Sequence, residues 1–350
     1  MSRISPLASF RQQTTNASVY RFRRPAEGSE IASSRYVQTK PFIAIHPLGP
    51  EDASAITPMK AAMRAAKGVR SATIDARAQF DALMERVPPP GDVTFETGSV
   101  GEVPGLWVHP PSSRSGEAIL HLHGGWFNFG TAKAYRHLVG HIAARAGAKA
   151  FVPDYRLAPE HPFPAAVDDV LACYRGIDRG GIRRIAITGD SAGGNLALVL
   201  VSCVTARAVS ANATLVGAAA LSPVTDLTLS GGTYETRADA DPLFTRPQVA
   251  ELVRSYLGST DATDPLASPL QGQLSGLPPV RIHVGDDEVL LDDSRRYVER
   301  AVAAGVDAQL EVWMGMPHGF VAIIGMVKAA TLALDAVGTF LTERLQTNHA

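Results

Sequence analysis

Ile185-Ala186-Ile187-Thr188-Gly189-Asp190-Ser191-Ala192-Gly193-Gly194-Asn195 is the stretch that decides how this chain reads. A short apolar run with β-branched residues leads into Gly-Asp-Ser-Ala-Gly. The run Leu196-Ala197-Leu198-Val199-Leu200-Val201 that follows can continue as a buried helix. Strand, tight turn and helix with a serine at the apex is the pattern of a nucleophile elbow. Such a turn strains the serine backbone, and Gly189 and Gly193 remove the Cβ atoms that would collide with it. The Oγ is then expected to stand exposed, with the Ala192 amide near a helix N-terminus beside it. Alone, the pentapeptide also fits an ordinary strand-to-helix turn, so partners elsewhere must decide.

Composition sets the bounds. The chain has 350 residues, 45% hydrophobic and 19% charged, enough for one large domain or two with a sizeable core. A net charge of −1 argues against nucleic acid or an anionic membrane as the main partner. Cys173 and Cys203 lie in apolar, helix-like stretches and read as reduced, buried thiols. No apolar run reaches the ~18 residues of a spanning helix, and the N-terminus lacks the apolar core of a secretory signal. A cytoplasmic location is expected, and a homodimer is left open. Arg3, Arg11, Arg21, Arg23 and Arg24 precede the first acid, Glu27; this resembles a transit peptide weakly and fits a disordered basic leader at least as well.

Residues 1–50 show no periodicity and are expected to be an irregular extension. Residues 51–87 suggest two helices: Ala55, Met59, Met63 and Ala66 share one face, and Ile74, Ala78, Phe80, Leu83, Met84 and Val87 mark a second, ended by Pro88-Pro89-Pro90-Gly91. A hairpin over 93–97 and 105–109 comes next, then strands at 118–122, 149–153, 184–188, 216–221, 280–284 and 310–313. Helices are expected at 165–174, 290–304 and 326–345. The alternation predicts a mostly parallel eight-stranded sheet with helices on both faces. Residues 222–258 break the alternation and contain a helix candidate at 247–257. An insertion there, with the N-terminal helices, would form a helical cap on a catalytic domain running from 88 to 350.

In an open parallel sheet, ligands bind beyond the carboxyl ends of the strands. Those positions hold His123-Gly124-Gly125-Trp126-Phe127, Ser191, Gly285-Asp286-Asp287-Glu288, and Gly315-Met316-Pro317-His318-Gly319-Phe320. A serine, an acid and a histidine thus share one edge, in the chain order of this fold class. Serine is a poor nucleophile at neutral pH. His318 would take its proton and return it to the leaving alkoxide, and the acid would orient the imidazole. Backbone amides of Gly124, Gly125 and Ala192 would receive the oxyanion, where losing one donor typically costs about 2.7–4 kcal/mol.

Five stretches together carry a family likeness: His123-Gly124-Gly125; Asp154-Tyr155-Arg156-Leu157-Ala158-Pro159-Glu160; the elbow at 189–194; Asp264-Pro265-Leu266-Ala267-Ser268-Pro269-Leu270; and Pro317-His318-Gly319-Phe320. The chain resembles the hormone-sensitive-lipase-like branch of the α/β-hydrolases over residues 51–345. The resemblance implies an α/β-hydrolase fold and hydrolysis of small to medium carboxylic esters without a cofactor. Two positions depart from the family pattern. Trp126 stands where a third glycine is usual, which should narrow the space beside the oxyanion hole and disfavour bulky acyl groups. The family's acid motif, anchored on Leu290 and Asp292, puts Glu288 where aspartate is usual, with Asp287 one residue away as the alternative.

The remaining residues read as support. His123 shapes its own loop and His121 points into the sheet; two residues apart with no further ligands nearby, they do not make a metal site. Asp190 supports by hydrogen bonding. Arg156 and Glu160 are expected to pair, and Asp286, Asp292 and Asp293 to be solvated or helix-capping. Trp126, Phe127 and Phe320 are candidates for the pocket wall. A lactonase or an amide or carbamate hydrolase would use the same triad. A non-catalytic receptor on this fold, as the plant gibberellin receptors are, would have lost the histidine that stands here at 318.

Overall fold

The computed structural model describes residues 42–67 and 74–346. The basic leader and most of the expected irregular extension lie outside them. In chain order the elements are β1 (Ile43–His46), α1 (Pro50–Ala66), α2 (Ile74–Met84), β2 (Thr94–Val100), β3 (Val103–His109), β4 (Glu117–Leu122), α3 (Ala132–Ala146), β5 (Lys149–Pro153), α4 (Ala165–Gly176), β6 (Arg184–Asp190), α5 (Ala192–Thr205), β7 (Thr214–Leu221), α6 (Thr233–Thr236), α7 (Arg246–Leu257), β8 (Val280–Asp287), α8 (Leu291–Ala303), β9 (Ala308–Pro317) and α9 (Lys328–Gln346).

The sheet has nine strands in the order β1-β9-β8-β7-β6-β4-β5-β3-β2. Only the β2–β3 and β3–β5 pairs are antiparallel. The strand count therefore corrects the expected eight. The added strand, β1, falls where an irregular extension was expected and pairs in parallel with β9, Ile43 opposite Leu310 and His46 opposite Trp313. Four residues are too few to show a period. What seats them is tertiary: the His46 ring stacks on Trp313 at 3.8 Å and 8°, and its Nε2 lies 2.6 Å from Glu311 Oε2.

β6 is central and buried, as its apolar run requires. Side chains alternate across the sheet. Ala186 and Ala219 join a core with α3 and α9 residues such as Leu138, Ile142, Leu334 and Leu341. The alternate residues, Ile185, Ile187, Ala218 and Ala220, are equally buried but fall outside that core and face the other side. α5, apolar all round, is buried from Ala192 to Val201. Cys173 and Cys203 are free and buried. Burial pushes both thiols up, Cys203 to about 11.

Register brings the loops together. Leu122 lies opposite Gly189, Asp190 opposite Leu221, Leu221 opposite His283, and Asp287 opposite Pro317. The residues that follow these strand ends therefore emerge side by side. The chain also reverses its winding between β4 and β6, where such sheets place their ligands.

The N-terminal helices are tied to the insertion and to the loops that follow β4 and β5. From the end of α1, Arg64 Nη2 donates to Ala240 O (3.0 Å), and Lys67 Nζ, just beyond it, donates to Ala238 O (2.8 Å) and Asp241 O (2.6 Å). In α2, Arg77 donates to Asn128 O (2.8 Å) and Ala158 O (2.8 Å). α7 opens on a capping box between Thr245 and Gln248. Among the described residues no helix is long and apolar enough to cross a membrane.

α1 also holds the last helix. Asp52 accepts hydrogen bonds from Lys328 N (2.6 Å) and Ala329 N (2.9 Å), the first two amides of α9. Asp52→Ala is expected to lower the unfolding free energy by about 0.5–2 kcal/mol, measured by urea denaturation.

Candidate active site

Ser191 sits at φ 53°, ψ −118°, a conformation that L-residues other than glycine rarely adopt. The two glycines make it feasible. A Cβ on Gly193 would collide with the carbonyls of Leu122 and His123, and one on Gly189 with the Gly193 carbonyl. Ser191 N donates to Leu221 O (2.8 Å) and Val224 N to Ser191 O (3.1 Å), so the turn is clamped to the end of β7. The Oγ makes no capping bond to α5. Ser191 as a whole residue is 4% exposed.

Strained backbone gathers here. Trp126 (φ 52°), Phe127 (φ 63°) and Ser222 (φ 47°) share the rim with Ser191. After β4, the Gly124 amide donates to Asp190 Oδ1 (2.9 Å), and Tyr135 OH donates to Asp190 Oδ2 (3.0 Å). Gly124 thus positions the loop through Asp190, and its N–H is not free to meet an oxyanion. The Gly125 amide makes no hydrogen bond among the described residues. Ala192 opens α5, ahead of the intrahelical ladder. His123 is buried; its Nδ1 donates to Gly124 O (2.9 Å), its ring stacks on Tyr155 at 4.2 Å, and Tyr155 OH donates to His123 O (2.7 Å). Burial pushes its pKa down, so it stays neutral. His121 Nδ1 lies 2.9 Å from Thr188 Oγ1.

Beyond β8 and β9, His318 Nδ1 lies 2.8 Å from Glu288 Oε2. Glu288 is fully buried, and its Oε1 accepts from Ser222 Oγ (2.7 Å) and Gly285 N (2.6 Å). Asp287, the alternative acid, turns away and pairs with Lys60 Nζ at 2.6 Å. Burial by itself would lower the His318 pKa. The charge of Glu288 and its hydrogen bond, with Asp241 and Asp190 further off, outweigh it and raise the imidazole above its usual 6.5. With the proton on Nδ1, Nε2 is the basic nitrogen.

The three aromatic candidates separate. Trp126 meets Phe244 edge-on at 5.4 Å, and Phe244 meets His318 at 5.0 Å. Phe127 stacks flat on Tyr256 of α7 at 3.7 Å, and Phe320 lies against Trp313 in the core. Both are consumed by packing. Phe244 is itself anchored: Asp241 Oδ1 accepts from Leu243 N (2.7 Å) and Phe244 N (2.9 Å), while Oδ2 accepts from Val289 N (2.9 Å).

Other expectations need correction. Arg156 does not pair with Glu160; it makes a bidentate bridge to Asp169, Nε to Oδ2 (3.0 Å) and Nη2 to Oδ1 (2.7 Å), and Glu160 pairs with Arg77 (2.7 Å). Asp286 and Asp293 are buried rather than solvated. Asp293 accepts from Thr225 N (2.8 Å) and Asp226 N (3.0 Å), and burial pushes its pKa up to about 7. Asp292 does bind an amide, that of Thr233 (3.1 Å). Sequence reasoning missed Ser222, although the rule of looking just past each strand end finds it after Leu221. It also missed Asp241 and Phe244, which no motif marks.

A family model described as an alpha/beta hydrolase fold matches residues 119–322. An esterase structure from the bacterial hormone-sensitive lipase family superposes with a TM-score of 0.78 at 35% identity, covering 86% of this chain and all of that one. This chain belongs to the hormone-sensitive-lipase-like branch of the α/β-hydrolases. An acetyl-hydrolase of Streptomyces hygroscopicus is 36% identical over 255 residues, 72% of this chain and 83% of that protein. Carboxylesterase NlhH of Mycobacterium tuberculosis is 31% identical over 329 residues, 89% of this chain and 100% of that protein.

In this α/β-hydrolase, Gly193→Ala should destabilise the fold by about 1–3 kcal/mol or more, because backbone rather than a yielding side chain fills the space its methyl would need. The thermal unfolding midpoint measures it.

Proposed function

We propose that this protein is a serine carboxylesterase acting on small to medium esters. The observation that carries this reading is the buried Glu288–His318 contact on the same rim as a strained serine turn. Ser191 Oγ attacks the ester carbonyl carbon and its proton passes to His318 Nε2. The oxyanion receives the amides of Gly125 and Ala192. Collapse breaks the bond to the alcohol oxygen, which leaves with the His318 proton. Water then repeats the sequence on the acyl-enzyme, releasing the acid and restoring Ser191. Glu288 keeps Nδ1 protonated and stabilises the imidazolium. Ser222 and the Gly285 amide fix that carboxylate.

Turnover of p-nitrophenyl acetate and butyrate, with covalent labelling by a fluorophosphonate probe, tests the assignment; Ser191→Ala should abolish both. A wild-type protein inert to both esters and unlabelled would overturn it. The base must be neutral to act, so kcat/KM should fall as pH drops through a value above 6.5, since Glu288 raises the His318 pKa. Glu288→Gln removes the charge that does most to raise it while burial still lowers it, so the acid limb should move to lower pH while kcat drops about 10²–10⁴-fold.

Trp126 and Phe244 wall the site beside the oxyanion loop. Acetyl and butyryl esters should therefore be favoured over octanoyl ones. Trp126→Gly should raise the octanoate-to-acetate ratio of kcat/KM at least about tenfold, given what one methylene is worth in a closed pocket. An unchanged ratio across a p-nitrophenyl ester series would remove Trp126 from the acyl pocket.

A further inference from the structure

We propose that Lys60, on the N-terminal helix α1, is a positioning residue for the catalytic histidine and its acid, holding their two loops in one geometry; this rests on the esterase reading above. Three carboxylates follow one another at the end of β8, Asp286, Asp287 and Glu288, and only Glu288 meets His318. Three like charges on one turn repel, and a neighbouring carboxylate one residue from the acid is a rival partner for the imidazole. Each has been given a different partner. Asp286 accepts from the Gly315 amide and lies 3.7 Å from Arg237 of the insertion. Asp287 is taken by Lys60 Nζ at 2.6 Å.

The same ammonium also donates to Gly315 O at 3.0 Å. Lys60 therefore spans the two loops, one hydrogen bond on the acid's loop and one on the strand that delivers His318. The Gly315 peptide group is held at its N–H by Asp286 and at its C=O by Lys60. Gly315 needs this position: it sits at φ 72°, and a Cβ there would press on Leu48 at 2.6 Å. Asp287 lies opposite Pro317 in the β8–β9 ladder, one residue from each of the two groups that must meet. Lys60 and Asp287 are 12% and 18% exposed, so the pair is shielded from solvent more than a surface bridge would be.

The test is a cycle on the full chain: Lys60→Met, Asp287→Asn, the double variant, and Lys60→Arg. Small misplacements at a reacting centre cost rate steeply. Lys60→Met should lower kcat about tenfold with KM within about twofold, and Lys60→Arg should restore most of the loss. If Lys60 acts through Asp287, Lys60→Met/Asp287→Asn should be no slower than Lys60→Met, because the rival carboxylate is gone. Unchanged kcat in folded Lys60→Met, or rate losses that simply multiply in the double variant, would overturn the proposal. Far-ultraviolet circular dichroism and the unfolding midpoint identify any variant that is merely unfolded; if Lys60→Met is, Asp287→Asn decides, with a kcat about tenfold down at little-changed KM expected from loss of the Lys60 contact, and full activity in it overturns the brace. If wild type turns over esters and Ser191→Ala does not, failure of the Lys60 variants refutes only the brace.

Discussion

The geometry of the serine turn depends on the closeness of α5 to the end of β4. Gly193 approaches the Leu122 and His123 carbonyls so nearly that any side chain is excluded. This contact fixes the turn, forces Ser191 into its unusual backbone conformation, and sets the β4 loop beside it. The strain is held in place by neighbours on several sides: Leu221 O and Val224 N grip the serine's own peptide groups, and Asp190 grips Gly124. A local geometry of this cost persists only when the surroundings over-determine it. Here they do so with backbone, which does not move aside.

Electrostatics at the rim follows from the same crowding. A fully buried carboxylate such as Glu288 is tolerable only with its lone pairs engaged. Ser222 and Gly285 occupy one oxygen and His318 the other. The adjacent acids are drawn off by Lys60, Arg237 and a backbone amide. The histidine consequently has a single carboxylate, that of Glu288, in contact with Nδ1, which keeps its tautomer fixed.

Most of the parallel sheet was legible because its strands are apolar runs with turns at regular intervals. That Ser191, Glu288 and His318 fall along one rim was legible because each stands directly past a strand end. α3 escaped, although Tyr135, Leu138, Val139, Ile142 and Ala146 keep a helical period between the Thr131 cap and Gly147; alanines and basic residues diluted the signal. β1 escaped for lack of length. Gly124 was expected to donate to the oxyanion, but nothing in the sequence reveals that Asp190 claims its amide, since that depends on three-dimensional register. Arg156 and Glu160, four residues apart, looked like a local pair; the nearer partners in space were Asp169 and Arg77. Phe244 lay in an insertion without a motif; its backbone is held by Asp241 and its ring lies between Trp126 and His318.

Phe244 stands on a carboxylate that also grips Val289, the residue next to Glu288. The insertion is thus keyed by hydrogen bonds to the acid's own loop. A ligand meeting this ring meets a surface whose conformational freedom was surrendered when the chain folded, so little entropy remains to be lost on association. The ring is in this sense a preformed partition, set by the same carboxylate that holds the loop of Glu288.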